Sequence, residues 1–254
     1  MTLLFDIGNT AVVMAIYDGD TLLRTWRFSS HYGTETQFAE EISLALEEAR
    51  GRFGASPIDG VAYASVVPKL NDMLETVVQR LLGLKPLCVN ADCKFGAFRE
   101  MPRELGADRV ADVVMAQKKY GSPCIVVDIG TAITFDVVSQ APSYSGGAIS
   151  LGVKSMFEVL GSNTALLPKN IMAKEPECAI AGTTETQMQS GVVFGTAGLV
   201  DGIVSRMWEE LGQNCPVIAT GGDARLISKF SKTINTYDPN LTLEGIKYIY
   251  ELNK

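Results

Sequence analysis

The sequence contains few of the residues that build histidine-based and cysteine-based sites. Among its 254 residues are one histidine, His31, and five cysteines. The histidine lies in the polar stretch S-S-H-Y-G, where we expect a solvated loop, and the cysteines are scattered without a C-x-x-C pair. A zinc site with several histidines is therefore excluded, and the spacing of the cysteines favours structural thiols over metal ligands.

Positive charge and long apolar runs are also scarce. The 22 basic residues are outnumbered by 29 acidic ones, and no block is rich in lysine and arginine, which argues against a nucleic-acid partner. No apolar run approaches the roughly 18 residues that a membrane span needs. The chain begins with a strand-like run interrupted by Asp6, unlike a signal peptide. We therefore expect a cytoplasmic protein without a nucleic-acid or membrane partner.

One short motif occurs twice, about half the chain apart. L-L-F-D-I-G-N-T at 3–10 and I-V-V-D-I-G-T at 125–131 each join an apolar strand to a glycine turn and an alternating second strand. With 46% hydrophobic residues the chain can bury a substantial core. The echo predicts an α/β protein of two similar domains, 1–121 and 122–254, which meet near the G-S-P at 121–123.

Helical periodicity predicts most of the remaining elements. Apolar residues from Phe38 to Ala49 are spaced as on one helix face, and Gly51 is expected to end that helix. The Y-D-G-D at 17–20 indicates a hairpin turn. Further helices are expected after Pro68, at about 106–120, 152–165 and 184–211, and from about Leu241 to the end.

The two glycine turns are suited to hold a polyphosphate. Glycine lets a ligand approach the backbone, and exposed N–H groups with the side chains of Asn9, Thr10 and Thr131 can bind phosphate oxygens. Asp6 and Asp128 end their strands and can hold a cation between carboxylate and phosphate, directly or through water. The simpler interpretation is that Asp and Gly merely end strands, but two matching copies weaken it. T-G-G-D at 220–223 is a third such turn, suited to an adenine or ribose.

Asp108 and Arg109 stand at the predicted start of a helix, in E-L-G-A-D-R-V-A-D. The free N–H groups of a helix start favour anions, so Asp108 could simply stabilise the first turn while Arg109 is solvated. In the functional interpretation, Asp108 accepts a proton from a substrate hydroxyl and Arg109 binds a carboxylate or phosphate. Asp112, one turn later, supports either interpretation.

In these motifs the chain resembles type III pantothenate kinases, which belong to the superfamily of actin, hexokinase-type sugar kinases and chaperone ATPases. The likeness runs nearly end to end. The shared motifs are D-I-G-N-T (6–10), A-S-V-V-P (64–68), G-A-D-R (106–109), D-I-G-T-A (128–132), T-F-D (134–136), G-G (146–147), T-A-L-L-P (164–168), M-Q-S-G (188–191), T-G-G (220–222) and D-P-N-L-T-L-E-G (238–245).

The resemblance implies duplicated ribonuclease-H-like domains that transfer the γ-phosphoryl group of ATP to pantothenate, the first step of coenzyme A synthesis. It implies Mg²⁺, a monovalent cation (K⁺ or NH₄⁺) bound by Asp128, Asp108 as the proton acceptor, and a homodimer. The implied ATP contacts are Asp6, Ile7, Gly8, Asn9, Thr10, Ala11, Val12, Val13 and Thr131. The implied substrate contacts are Gly106, Ala107, Asp108, Arg109 and Thr184, where Thr184 contacts the substrate of its own or of the partner subunit.

The departures from the family pattern lie mostly on the acceptor side. Ala11 follows D-I-G-N-T where asparagine is usual, Leu151 stands in place of a proline, and A-G-T (181–183) replaces G-K-N before Thr184. The segment K-F-G-A-F-R (94–99) puts Arg99 where a pocket tyrosine falls in the family, so Arg99 becomes a candidate substrate contact.

Three interpretations stay open on these residues: a pantothenate kinase with a drifted loop, a kinase of the same fold for another small hydroxylated acid, and a non-catalytic nucleotide-binding regulator. The retained Asp6, Asp108 and Asp128 argue against the regulator. For the dimer, M-Q-S-G-V-V-F-G on the long helix suits either an interface or ordinary core packing.

Overall fold

Two five-stranded sheets with the same strand order form the framework of this computed structural model, which describes residues 1–54 and 57–254. The first sheet has the order β3-β2-β1-β4-β5, with β1 (Thr2–Ile7), β2 (Ala11–Asp18), β3 (Thr21–Ser29), β4 (Gly60–Ser65) and β5 (Leu87–Cys88). The second has the order β8-β7-β6-β9-β10, with β6 (Cys124–Ile129), β7 (Ala132–Val138), β8 (Tyr144–Leu151), β9 (Val217–Thr220) and β10 (Thr236–Tyr237).

Each sheet combines an antiparallel meander with parallel strands. In the first, β1 pairs antiparallel with β2 and parallel with β4, and in the second β6 pairs in the same way with β7 and β9. Mixed sheets arise when hairpins and helical crossovers follow each other along the chain. The predicted duplication of a mixed α/β sheet is therefore confirmed.

The described part of the chain contains seven helices. They are α1 (Glu35–Phe53), α2 (Pro68–Leu82), α3 (Ala107–Tyr120), α4 (Val153–Asn163), α5 (Thr184–Leu211), α6 (Ala224–Ile227) and α7 (Leu241–Asn253). The expected end of α1 at Gly51 is wrong, because Gly54, with φ 84°, is the residue that leaves the helix. A solvent-exposed glycine inside a helix costs only about 1 kcal/mol, so Gly51 does not stop it.

The chain divides into two compact units, which differ from the predicted domain ranges. The first unit comprises residues 1–115 and 241–254, and the second comprises residues 116–240. The difference lies mainly in α7, whose buried side chains include Leu241, Ile246 and Ile249 and which packs against β1 and β4. Helical periodicity shows that α7 has an apolar face, but it does not show which sheet that face covers.

Each unit has its own hydrophobic core. In the first, the fully buried Phe5, Phe38 and Leu74 join the sheet to α1 and α2. In the second, the fully buried Phe135 and Val193 join the sheet to α5. Burying a side chain of this size contributes about 1.5–3 kcal/mol, so each unit has an independent source of stability.

The cysteines differ in burial: Cys124 and Cys215 are buried, and Cys178 is exposed. All five are free thiols, and burial together with nearby Cys215 raises the pKa of Cys124 to about 12, so that this thiol stays neutral. In the described residues no group of three or more His, Cys, Asp or Glu side chains is arranged to hold a metal ion. No described helix combines the length and apolarity needed to cross a bilayer.

Candidate active site

The first glycine turn joins β1 to β2 at the carboxyl end of β1. The Gly8 N–H donates to the Ala11 carbonyl at 3.0 Å and closes the turn. The hydroxyl of Ser30, which directly follows β3, donates to the Asn9 carbonyl at 2.7 Å. Asp6, the penultimate residue of β1, is partly exposed, and Asn9 is exposed at the tip. The turn is therefore fixed by its own backbone and leaves its tip accessible to a ligand.

Asp108 lies at the same edge of the first sheet as this turn. The Val66 N–H donates to the Ile7 carbonyl at 3.0 Å, which places the end of β4 beside the end of β1. A Cβ added to Gly106 would lie 3.3 Å from Val66 Cγ1 and 2.6 Å from Asp108 Oδ1. Ligands of α/β proteins commonly bind outside the carboxyl ends of the parallel strands, which is where these residues meet.

The start of α3 holds the Asp108 carboxylate in place. Its Oδ1 accepts from the Arg109 N–H at 2.7 Å, and the Val110 N–H donates to the Gly106 carbonyl at 2.9 Å to begin the helix. A carboxylate here is favoured by the free N–H groups and the dipole of the helix. Because Gly106 lacks a side chain, the carboxylate occupies space that any other residue there would fill. Asp108 is thus both a helix-start residue and a partly exposed base candidate.

The second glycine turn repeats the first, with a helix pressed against it. The Gly130 N–H donates to the Ala132 carbonyl at 2.9 Å, which closes a turn one residue shorter than the one that Gly8 and Ala11 close. At the start of α4, the Ser155 hydroxyl donates to the Thr131 carbonyl at 3.0 Å, and a Cβ on Gly152 would overlap the carbonyl oxygens of Gly130 and Thr131. Sequence reasoning missed the roles of Gly152 and Ser155; the only signal was a glycine between a strand and a helix.

The T-G-G turn after β9 lies directly on Asp128. Thr220 pairs with Asp128 in the sheet, and the next residue, Gly221, has φ 96°. A Cβ on Gly221 would overlap Asp128 Oδ1 and lie 2.7 Å from the Ile129 carbonyl, while the Asp223 N–H donates to that carbonyl at 3.0 Å. Two glycine turns and one carboxylate therefore form a single cradle in the second unit, which the sequence did not reveal.

The other predicted site residues differ in how their side chains are presented. Ile7 and Val12 are fully buried in the core of the first unit, so only their backbones can face a ligand. Thr131 is exposed at the second turn, and Arg99 is exposed between β5 and α3. Thr184 is exposed as the first residue of α5, just after the N-cap. The remaining predicted contacts, Thr10, Ala11, Val13, Ala107 and Arg109, are partly exposed.

Each of the two acidic turn residues, taken within its own unit, suits a magnesium ion that arrives with a nucleotide. Asp6 and Asp128 each stand at a strand end beside a glycine turn, and the described residues contain no ready-made acidic cage. Mg²⁺ keeps several waters and is usually held by one or two carboxylates together with substrate phosphates. The donor set fits this mode of binding better than a permanent structural metal site.

A duplicated mixed sheet, with an acid–glycine turn at the carboxyl end of β1 and of β6, is the predicted fold class of duplicated actin-like domains. Two solved structures share the fold: ethanolamine utilization protein EutJ from Carboxydothermus hydrogenoformans (TM-score 0.58, 16% identity, 99% of this chain and 89% of that one) and inorganic polyphosphate/ATP-glucomannokinase from Arthrobacter (TM-score 0.51, 16% identity, 99% of both chains).

Comparison of sequences identifies one family within this fold. A family model described as type III pantothenate kinase matches residues 2–206. The type III pantothenate kinase of Finegoldia magna is 41% identical over 258 aligned residues, covering 99% of this chain and 97% of the relative. The chain belongs to the type III pantothenate kinase family, and the predicted family is confirmed.

Proposed function

We propose that this protein transfers the γ-phosphoryl group of ATP to pantothenate, forming 4′-phosphopantothenate in the first step of coenzyme A biosynthesis. The observation that carries the proposal is the position of Asp108, in a chain of this family. Its carboxylate stands at the start of α3, beside Gly106 and at the sheet edge that also bears the first glycine turn. A phosphate-binding turn and a base at one edge suit transfer to a hydroxyl.

In this proposal each glycine turn binds part of the nucleotide and its cations. The backbone and side chains of Asp6–Val13 bind ATP phosphates, with Asp6 on Mg²⁺, and Thr131 contributes from the second turn. Asp128, under Gly221, binds the monovalent cation, K⁺ or NH₄⁺. When bound, the cations neutralise the negative charge that builds up on the phosphates.

The acceptor is held by the start of α3. Gly106, Ala107 and Arg109 bind pantothenate, whose carboxylate suits both the Arg109 guanidinium and the free N–H groups of the helix start. Asp108 accepts the proton of the attacking hydroxyl. Because phosphoryl transfer depends mainly on positioning and charge neutralisation, this base is expected to contribute roughly 10²–10⁴-fold.

The proposal includes a homodimer in the cytoplasm, where ATP is abundant. Helix α5 supports the dimer, because its buried residues, such as Met188 and Val192, face the core while a row of glycines stays exposed. A Cβ on any of these glycines would meet no heavy atom within 4 Å; they are Gly191, Gly195, Gly198 and Gly202. A second helix can approach such a face closely. Thr184, at the start of α5, would then contact the substrate of the partner subunit.

A second candidate is a kinase of the same fold that acts on a different small hydroxylated acid. It is favoured by Arg99, an exposed cation in the segment before α3 where the family pattern has a tyrosine. A guanidinium binds carboxylates and phosphates bidentately, so it would suit a more anionic acceptor than pantothenate.

The deciding experiment measures ATP consumption by the purified protein with pantothenate and with a panel of hydroxy acids and polyols, each with and without K⁺. We expect turnover with pantothenate and identification of the product as its phosphate ester by mass spectrometry. Turnover with another acceptor alone would favour the second candidate. Nucleotide binding without turnover on any acceptor would instead indicate a non-catalytic regulator.

A further inference from the structure

Two thiols of the first unit stand at the two ends of a tight turn after β5. Cys88 is the last residue of β5, and Cys93 follows it by five positions. The Cys93 N–H donates to the Asn90 carbonyl at 3.1 Å, which closes the turn. The Cys93 Sγ lies 3.6 Å from the Cys88 carbonyl oxygen. The turn therefore brings the sulfur of one cysteine against the backbone of the other.

Hydrogen bonds fix the turn on both sides. The Asn90 Nδ2 donates to the Cys88 carbonyl at 3.1 Å, and the Asn90 Oδ1 accepts from the Asp92 N–H at 2.9 Å. Asparagine side chains commonly stabilise turns by bonding to nearby backbone in this way. After the turn, the Asn253 side chain of α7 binds the Lys94 N–H at 2.8 Å and the Lys94 carbonyl at 3.1 Å. The two cysteines are thus held near each other by the fold.

These two thiols differ in burial from the other three. Cys88 and Cys93 are partly exposed, so that water and small solutes can reach the pair. In the second unit, Cys124 and Cys215 are buried and Cys178 is exposed. The pair after β5 therefore combines a neighbouring thiol with access from solvent.

The surroundings of Cys88 make its thiol slow to react on its own. Burial raises the pKa of the Cys88 thiol above its ordinary value, and the nearby Cys93 adds to this. Because the thiolate is the nucleophile, a thiol that stays protonated reacts slowly with an oxidant. We therefore expect Cys93 to react first and Cys88 to react second.

We propose that Cys88 and Cys93 form a redox modification site, which a small hydroperoxide converts to an intramolecular disulfide. The Cys93 sulfur attacks the hydroperoxide, whose O–O bond breaks, and this gives a sulfenic acid and releases water or an alcohol. The Cys88 sulfur then attacks the sulfenic sulfur, so that the S–S bond forms and the hydroxyl leaves as water with the Cys88 proton. The two thiols lose two electrons and two protons, and the hydroperoxide is reduced. A dithiol reductant reverses the change.

The test oxidises the folded protein with an equal amount of hydrogen peroxide, blocks the remaining thiols with N-ethylmaleimide and digests the chain with trypsin. Cys178→Ser is used throughout, so that this exposed thiol cannot exchange. The tryptic peptide 81–94 contains Cys88 and Cys93 and none of the other three cysteines. We expect most of this peptide to carry no alkyl group and to be lighter by two hydrogens. After treatment with dithiothreitol, both thiols should be alkylated again.

Single variants test the order of the steps and the role of the turn. Cys88→Ser should leave Cys93 as a sulfenic acid, which dimedone traps, and Cys93→Ser should leave Cys88 as an alkylated thiol. Asn90→Ala loses two hydrogen bonds of the turn, so we expect its disulfide to form about tenfold more slowly. Asn163→Ala, at an exposed asparagine of the second unit, is the matched control and should not change the rate. Circular dichroism checks that each variant is folded.

The result does not depend on the proposed phosphoryl transfer, because no step of the test measures activity. Two alkylated thiols in peptide 81–94 after oxidation would overturn the proposal. A sulfenic acid that persists at Cys93 while Cys88 is alkylated would overturn it as well. If Asn90→Ala forms the disulfide as fast as the control, the turn does not bring the thiols together, and the structural basis of the site is lost.

Discussion

At the scale of single residues, the candidate site depends on side chains that are absent as much as on those present. Gly106 leaves the space that the Asp108 carboxylate occupies, and Gly221 leaves the space above Asp128. Gly106 directly precedes α3 and Gly221 directly follows β9, and in each case a carboxylate oxygen lies where a Cβ would stand. The two acidic residues are therefore held by the shape of the turns around them.

Asp108 is expected to serve the chemical step more than nucleotide binding. Asp108→Asn keeps the shape of the side chain but cannot accept the proton, so kcat should fall by roughly 10²–10³-fold while the affinity for ATP stays the same. Steady-state kinetics and nucleotide titration measure the two quantities. Asp72→Asn, at an exposed aspartate of α2, is the control and should retain full activity. Unchanged kcat in Asp108→Asn would remove the proton-acceptor role.

Gly221 and Gly222 provide a matched pair for testing the cradle around Asp128. Gly221→Ala forces a side chain into φ 96° and onto Asp128 Oδ1, so we expect a loss of about 2 kcal/mol or more in unfolding free energy and a higher KM for ATP. Gly222→Ala meets no protein atom within 4 Å and should leave the unfolding free energy unchanged. Denaturant unfolding and ATP kinetics give the comparison. Equal behaviour of the two variants would contradict the cradle.

At the scale of elements, local patterns predicted most helices because each has a continuous apolar face. The periodicity and cap residues of 184–211 and 241–253 were sufficient, and Thr183 caps α5 by accepting from the Thr186 N–H. The exception was Gly51, where a residue that often ends helices lies inside one. Because Gly51 lies at the surface, it costs the helix little free energy. A short stretch of sequence does not show which residues face the core.

One carboxylate of helix α5, that of Asp201, binds the β9–β10 connection by several hydrogen bonds. Asp201 accepts from the hydroxyls of Ser231 and Thr233 and from the N–H groups of Lys232 and Thr233, at 2.6–3.1 Å. Burial alone would raise the pKa of Asp201, but these hydrogen bonds outweigh it and hold the pKa below its ordinary value. The connection is therefore stabilised by a charged group.

The Asp201 interaction should make stability depend on pH. A carboxyl group with a lowered pKa stabilises the folded state above the ordinary pKa of about 4, and the stabilisation is lost as pH falls through the lowered value. Asp201→Asn should therefore cost about 2 kcal/mol near pH 7, and the difference from wild type should shrink below about pH 4. Unfolding free energies at several pH values measure this, with Glu210→Gln as the exposed control on the same helix. A difference that stays constant down to pH 2 would contradict the charged interaction.

At the scale of the whole molecule, the duplication was predictable, but the assignment of the last helix, α7, to the first unit was not. The repeated D-I-G turns indicate two copies of one sheet because identical local chemistry stands at matching places. The packing of α7 on β1 and β4 depends on contacts across the full length of the chain, such as that between Asn253 and Lys94. The cradle around Asp128 was missed for the same reason, since its two turns, at Gly130 and Gly221, are brought together only by the completed sheet.

The exposed glycine face of α5 gives the last prediction, which concerns the assembly. Gly198→Glu places a charged side chain where no heavy atom lies within 4 Å, so each protomer should fold normally and gain slightly in helix propensity. If two copies of the chain meet through this face, the charge would be buried against it, and a buried unpaired carboxylate is costly.

Wild-type protein is thus expected to sediment as a dimer and Gly198→Glu as a folded monomer with weakened activity, because Thr184 would no longer reach the neighbouring site. Gly51→Glu provides the control, since Gly51 is an exposed helical glycine of the first unit with equally open surroundings; it should stay dimeric. A Gly198→Glu variant that remains a dimer at the same concentration would show that the two copies meet elsewhere.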